Sequence, residues 1–172
     1  EAQAPRGVRL PWNTGASGGP STSEGKAKVT SDEVHVSDQQ ALVIELMQAL
    51  EAGAHGEELR RFFHDEAEQV EYPSMVDPRV GRRGLDGMIA ASELGAGMLA
   101  FQRYDVSRWI ESADTVVCQA EWHAELAKDA GTLRQGQRLH SYSVLIFTFH
   151  DDKIIRQEGY DCYEPFSSEL KS

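Results

Sequence analysis

A glutamate and a histidine stand two residues apart in the segment DTVVCQAEWHAELA. Apolar and polar residues alternate through this segment, which predicts a β-strand, and side chains two positions apart on a strand point to the same face. Glu121 and His123 would therefore lie side by side. A carboxylate beside an imidazole fixes the ring tautomer and favours the charged ring, so such a pair can transfer protons near neutral pH or activate a water molecule. The alternation also fits a solvent-facing pair over an apolar side formed by Cys118, Ala120 and Trp122, and the sequence leaves both arrangements open.

The segment RQEGYDCYEPF, near the end of the chain, places carboxylates and tyrosines among apolar residues. It is typical of the close of a strand, and Asp161 is its candidate for acid–base chemistry. The segment is either an exposed end or the wall of a site. Which alternative holds depends on the face of the sheet to which Asp161 and Tyr163 point. The surrounding helices and strands determine that face.

Three helices are predicted before any long strand. The first is SDQQALVIELMQALEAG, in which Ser37 caps the start, leucines recur at helical spacing and Gly53 ends the helix. GEELRRFFHDEAE predicts a second, shorter helix, and QVEYPSM predicts a short strand that Pro73 ends. After a loop at VDPRVGRRG, a third helix is expected from Leu85 to about Leu94.

The apolar period then changes. From YDVSRWIES to KIIRQEGYDCYEPF it falls to about two, and turn signals interrupt it. Helices that precede a run of antiparallel strands predict an α+β fold, with the helices packed on one face of a curved sheet.

Length and composition limit the domain count and the partners. The chain has 172 residues, of which 40% are hydrophobic, and this suffices for one domain with a core. Residues 1–34 are rich in Gly, Ser and Pro and are expected to form a disordered leader, with residues 35–172 as the folded domain. The net charge of −11 argues against nucleic acid and anionic membranes as partners. No apolar run reaches the roughly 20 residues of a membrane span and no signal peptide is evident, so a cytoplasmic location is expected.

The element order and three local patterns resemble the SnoaL-like and ketosteroid isomerase-like proteins, which share the cone-shaped α+β fold of nuclear transport factor 2. The patterns are ALEAG followed by LRRFFHDEAEQVEYP, the Gly-led helix start GRRGLDGMIAA, and the final hairpin FTFHDDKIIRQEGYDCYEPF. The resemblance covers residues 37 to about 166 and implies a pocket between the helices and the concave face of the sheet. It does not fix a function, because this fold carries isomerases, dehydratases, hydrolases, cyclases and non-catalytic proteins.

An overlay of the strands on the ketosteroid isomerase pattern implies which side chains enter that pocket. A slip of one residue in a strand would reverse the face of each of its side chains. The implied catalytic residues are Asp161, His123 and Glu121, with Tyr72 as a hydrogen-bond donor at the pocket mouth. The implied substrate-binding residues are Gln119, Ser143, Leu145, Phe147, Gln157, Tyr163 and Leu46.

The chain departs from ketosteroid isomerase at three positions. Leu46, Tyr72 and Leu145 stand where the resemblance would place a tyrosine, a base aspartate and a protonated aspartate. Steroid isomerisation by that route is therefore not expected, and any activity has to use other groups.

Two functions remain open. The first is an isomerase, cyclase, dehydratase or hydrolase that acts by acid–base catalysis, without a cofactor, on an apolar, oxygenated small molecule. The second is a non-catalytic module of the same fold that binds a ligand or dimerises. Glu121, His123 and Asp161 could in principle form a facial triad for non-haem iron, but the resemblance gives this no support and no metal is expected.

A homodimer is also expected. The resemblance implies association through the convex face of the sheet. By the same overlay, apolar side chains would cover much of that face and favour its burial, namely Cys118, Ala120, Trp122, Val144 and Ile146.

Overall fold

The computed structural model describes residues 36–166, and its first helix, α1, spans Asp38–Glu51. Ser37 caps this helix as predicted, since its Oγ accepts a hydrogen bond of 3.0 Å from the backbone N–H of Gln40. The predicted disordered leader, residues 1–34, lies outside the described residues.

The second predicted helix is correct only in its first half. Gly56–Phe62 forms a 3-10 helix, and strand β1, Phe63–Glu71, follows it without a loop. Residues 64–68, HDEAE, have reasonable helix propensity, but they belong to β1. Pairing with the neighbouring strands outweighs this local preference for a helix.

The remaining elements agree more closely with the sequence. Strand β2, Gly81–Gly84, falls inside the predicted loop, and helix α2, Leu85–Gly95, matches the third predicted helix. Four long strands complete the domain: β3, Leu99–Ser112; β4, Thr115–Leu126; β5, Arg138–His150; and β6, Lys153–Tyr163.

The strands form one six-stranded sheet in the order β2-β1-β6-β5-β4-β3. β1 and β6 run parallel, and each of the other neighbouring pairs is antiparallel. The helices cover one side of this sheet, called here the inner face, and the opposite side is called the outer face. The α+β prediction is confirmed.

The main core lies between the helices and the inner face. Phe62, Val116, Cys118, Phe147 and Ile154 are each at most 1% exposed. Complete burial of an aliphatic or aromatic side chain of this size contributes about 1.5–3 kcal/mol relative to exposure. The core therefore fixes the sheet from which the site residues project. None of the described helices is long and apolar enough to span a membrane.

The pairing of β4 with β5 decides which face each residue of β4 takes. Ala120 lies opposite Ser143, and Trp122 lies opposite Ser141. Directly opposed residues of an antiparallel pair share a face. Both serines are buried on the inner side, so Ala120 and Trp122 are on the inner face as well.

The predicted inward orientation of Gln119, Glu121 and His123 is therefore wrong, because these side chains alternate with the buried set and lie on the outer face. The physical reason is burial. Cys118 and Ala120 are 0% and 2% exposed. A shift of β4 by one residue would replace them in the core by polar and charged side chains, which is costly.

Candidate active site

Two adjoining cavities lie on the inner face, with volumes of about 230 Å³ and about 330 Å³. Leu50, Gln69, Glu71 and Gln157 stand in the walls of both. Together they form the pocket that the resemblance implies, called here the inner pocket. The smaller cavity is also lined by Val70, Tyr104, Trp122, Ser141, Ser143, Leu145, Gly159, Asp161 and Tyr163.

Asp161 is a half-buried carboxylate in the wall of the smaller cavity. The hydroxyl of Ser143 donates to Asp161 Oδ1 over 2.6 Å, and Ser143 Oγ also lies 3.0 Å from Ser141 Oγ. Burial raises the pKa of the Asp161 carboxyl above its ordinary value, the Ser143 hydrogen bond opposes this, and the negative charge of Glu71 adds to the rise. A carboxyl group with a raised pKa in a pocket can exchange a proton with a bound molecule.

Tyr104, Trp122 and Tyr163 supply aromatic walls to the same cavity. Burial, with help from the Asp161 charge, raises the pKa of Tyr163 to about 12, and burial also raises the pKa of Tyr104. Both phenols therefore keep their protons at neutral pH and can act as hydrogen-bond donors. The Trp122 ring meets the Tyr163 ring edge-on, with 6.2 Å between centroids. Such aromatic walls can pack against a flat ring system.

A charged pair forms part of the pocket wall. Arg83 Nη1 lies 2.8 Å from Glu71 Oε2 and 3.1 Å from Gln69 Oε1. The guanidinium thus forms an ion pair with Glu71. Among the described residues that line the inner pocket, Asp161 is therefore the carboxylate without a basic partner.

Most of the predicted substrate-binding residues line the inner pocket. Phe147 points inward as predicted but is 1% exposed and belongs to the core rather than to a cavity wall. The catalytic and binding roles of these residues stay predictions. The predicted residues found in the pocket walls are Asp161, Ser143, Leu145, Gln157, Tyr163 and Leu46.

Tyr72 does not reach the pocket mouth, so its predicted position is wrong. Its hydroxyl donates to Glu158 Oε1 over 3.0 Å, and its ring stacks on Tyr160 with 4.2 Å between centroids. The preceding residue, Glu71, points into the pocket, and the alternation of side chains along the extended chain turns Tyr72 to the outer face. The predicted site residues on the outer face are thus Tyr72, Gln119, Glu121 and His123.

Several pocket residues were not predicted from the sequence, and Trp122, Tyr104, Arg83 and Glu71 matter most for the chemistry of the site. Trp122 and Tyr104 stand opposite each other across β3 and β4, so placing the apolar residues of β4 inward would have found both. Arg83 of β2 and Glu71 of β1 form an ion pair, and β2 lies in the segment interpreted as a loop.

The outer face holds a second cluster of titratable side chains. Glu121 and His123 of β4 meet His140 of β5, and their candidate ligand atoms all lie within 4.8 Å of one another. His64, His150 and Asp151 form a second group that meets the same distance limit. Imidazole and carboxylate groups at these separations are the donor types that bind divalent transition metals.

The sequence of this chain also matches the model of a protein family. A model of the SnoaL-like domain matches residues 43–157, from within α1 to within β6. The chain belongs to the SnoaL-like family. Asp161 lies just beyond the matched residues, on the same strand as Gln157. No curated protein matches the sequence.

Solved structures of other proteins share the fold of this SnoaL-like chain. IdmH from Streptomyces antibioticus, provisionally assigned as a polyketide cyclase, is 12% identical, with a TM-score of 0.59 over 72% of this chain and 91% of its own. AclR from Streptomyces galilaeus, provisionally assigned as a hydroxylase, is 17% identical, with a TM-score of 0.58 over 74% and 80% of the two chains. TerC, crystallised with polyporic acid, is 17% identical, with a TM-score of 0.56 over 73% and 92%.

Proposed function

We propose that this SnoaL-like protein is an enzyme of the cyclase or isomerase type that catalyses proton transfer on an apolar, oxygenated small molecule in the inner pocket, without a cofactor. The observation that carries the proposal is Asp161, a partly buried carboxyl with a raised pKa that accepts a 2.6 Å hydrogen bond from Ser143. Membership of a family that includes small-molecule cyclases and isomerases supports it.

The proposed reaction begins at a carbon next to a carbonyl group of the substrate. Ionised Asp161 takes a proton from this carbon, and the C–H electron pair moves into the carbonyl to give an enolate. The protonated phenols of Tyr163 and Tyr104 are the donors available to stabilise the enolate oxygen. Return of the proton from Asp161 to another carbon gives an isomer. Alternatively, the enolate carbon attacks a second carbonyl, whose C=O electron pair moves onto its oxygen, and this alkoxide takes the proton back from Asp161 as the ring closes.

The proposed substrate class follows from the walls of the pocket. Trp122, Tyr163 and Leu145 offer apolar surface, and polar atoms for oxygen substituents come from Gln69, Gln157, Ser143 and Asp161. The co-crystallisation of TerC, a protein of the same fold, with polyporic acid supports aromatic or polyketide-like compounds as the first ones to test.

Hydrogen–deuterium exchange tests this function. The full chain is incubated in D₂O with a panel of aryl ketones and aryl 1,3-diketones, and loss of the proton next to the carbonyl is followed by NMR against the uncatalysed rate. We expect faster exchange with the wild-type protein, strongly reduced exchange with Asp161→Asn, and no change with Asp152→Asn, which makes the same substitution in the exposed β5–β6 turn.

The alternative is a non-catalytic ligand-binding module of the same fold, and the aromatic walls are the observation that favours it. Quenching of Trp122 fluorescence by a compound of the panel, with no exchange above the uncatalysed rate for any of them, would favour binding alone and contradict the enzymatic proposal.

We also propose that the protein forms a homodimer through the outer face. Of the five apolar residues expected there, Cys118, Ala120 and Trp122 face inward, so Val144 and Ile146 remain on the outer face. Light scattering that gives the mass of one chain at micromolar concentration would contradict the dimer.

A cytoplasmic location stays a prediction from the sequence, which fractionation of cells that express the protein can test.

A further inference from the structure

We propose that the outer face of the sheet carries a binding site for a divalent transition metal ion, with Zn²⁺ as the reference ion, held by Glu121, His123 and His140. This site is separate from the inner pocket, because its three residues project from the opposite side of β4 and β5.

The backbone fixes the three ligands in place. His123 and His140 are directly opposite each other on β4 and β5, and Glu121 is two residues from His123 on the same strand, so all three share a face. Both strands are paired on both sides within the sheet, which restricts the backbone at the site. The sequence separates these ligands, and only the correct register of the two strands brings them together.

The donor atoms converge on one carboxylate oxygen. Glu121 Oε2 lies 3.2 Å from His140 Nε2 and 3.9 Å from His123 Nε2. Zinc binds such nitrogens and oxygens at about 2.0–2.2 Å in a tetrahedral arrangement. The ligands of one ion are then about 3.3–3.6 Å apart. The donor atoms here lie within 4.8 Å of one another, so the side chains have to rotate closer together to enclose an ion.

A second carboxylate holds the far nitrogen of His140. Glu164 Oε1 lies 3.3 Å from His140 Nδ1, and the backbone N–H of Glu164 donates to the carbonyl oxygen of His140 over 3.0 Å. His140 Nε2 lies within hydrogen-bonding distance of Glu121 Oε2, so an ion would take the place of the proton at that nitrogen. With the proton on Nδ1 instead, directed at Glu164, the ring has the carboxylate–histidine arrangement that orients a metal-binding imidazole.

The arrangement of charges also favours a divalent cation. The rings of His123 and His140 stack with 4.5 Å between centroids and 5° between planes, and two imidazolium rings at this separation would repel each other. Asp105 Oδ2 lies 3.5 Å from His123 Nε2, but this carboxylate is already paired with Arg103, with 3.0 Å from Nε to Oδ2. Glu121 and Glu164 then remain as two negative charges, which one divalent ion neutralises.

The site is open to an incoming ion. The side chains of His123 and Glu121 are 37% and 48% exposed. Both histidines also border a groove of about 520 Å³ that includes Phe101, Pro165 and Phe166. Three protein ligands leave a coordination position for water or a small anion.

The other histidine cluster is less suited to this role. His64 and His150 meet edge-on at an interplanar angle of 72°, and Nδ1 of His64 accepts a hydrogen bond of 3.1 Å from the backbone N–H of Glu66. The neutral His64 ring then carries its proton on Nε2, its remaining donor atom, so metal binding there would need a loss of that proton or of the hydrogen bond. This cluster therefore serves as the internal control.

The experiment measures binding of Zn²⁺ alone by calorimetry, and of Co²⁺ by visible absorption, to the full chain freed of any affinity tag. We expect one ion per chain in the wild type and in the control variant His64→Gln/His150→Gln, and loss of binding in His123→Gln/His140→Gln. Glu164→Gln should weaken binding about 10- to 100-fold, as is typical for loss of the carboxylate that orients a ligand histidine.

Thermal unfolding provides a second readout and checks that each variant folds. We expect Zn²⁺ to raise the Tm of the wild type and of the control variant, but not that of His123→Gln/His140→Gln. Retained one-to-one binding in that variant, loss of binding in the control variant, or no binding to the folded wild type at micromolar Zn²⁺ would each overturn the proposal.

Discussion

Replacing Asp161 by Asn tests whether the inner pocket is a site of proton transfer. Asn is almost isosteric, and its side-chain oxygen can still accept the hydrogen bond from Ser143, so the substitution removes the negative charge and the ability to take a proton. A positioned acid or base contributes about 10²- to 10⁴-fold to a rate. At about 1.36 kcal/mol for each factor of ten, this equals roughly 2.7–5.5 kcal/mol of transition-state stabilisation.

The structure places the expected loss near the upper end of this range. The other described carboxylate in the pocket walls is Glu71, which is 2.8 Å from Arg83 and so cannot readily replace Asp161 as a base. The assay is deuterium exchange, with kcat/KM for the variant compared with that of the wild type on the same compound. A loss of less than tenfold, in a variant whose fold is intact, would refute the assignment of Asp161.

The same substitution should also change how the stability of the fold depends on pH. Because burial raises the folded-state pKa of Asp161 above its unfolded value, the carboxyl stabilises the fold at low pH, and this contribution is lost as pH rises through the folded-state value. Asn does not titrate. We therefore expect Asp161→Asn and wild type to have similar Tm values at acidic pH, and the variant to gain relative to wild type as pH increases toward neutral. A Tm difference that does not change with pH would show that the carboxyl is not disfavoured by burial.

Three further outcomes follow from the geometry of the two faces. Ser143→Ala removes a donor to the ionised form of Asp161, so the acidic limb of the pH–rate profile should move to higher pH, whereas an unmoved limb would exclude this hydrogen bond from function. Trp122→Phe should abolish most of the fluorescence quenching by a bound compound but retain binding measured by calorimetry, and quenching equal to that of wild type would place the ligand elsewhere. Tyr72→Phe should leave exchange unchanged and lower the Tm slightly through loss of the hydrogen bond to Glu158, and loss of activity in this variant would contradict its outer-face position.

Element type was largely predictable from the sequence, because caps and apolar periods are local signals. Ser37 caps α1 and Leu85 begins α2, as their spacing predicts. Helix propensity failed at Phe63, where the chain becomes a strand that pairs with β6. That partner lies far along the sequence, so no local pattern could reveal it.

The site was partly predictable for a related reason. Asp161 and Ser143 face the pocket as the family overlay implies, whereas Glu121 and His123 do not. Strand alternation establishes that two residues share a face but not which face it is. The residues of β4 that alternate with Glu121 and His123 are apolar, and this indicates that they, and not the charged pair, face the core. Cys118, one of them, is 0% exposed.

The position of β6 has a consequence for how the protein is made. This strand lies between β1 and β5, and it places Ile154 beside Phe63 across a long stretch of sequence. Such non-local pairing gives a high contact order and slows folding, since a large loop must close before the contacts form. While β6 is still in the ribosome, β1 and β2 have no strand that joins them to β3–β5. The strand that completes the sheet also carries Gln157, Gly159 and Asp161, so a nascent chain acquires its pocket and its carboxylate in a single late step.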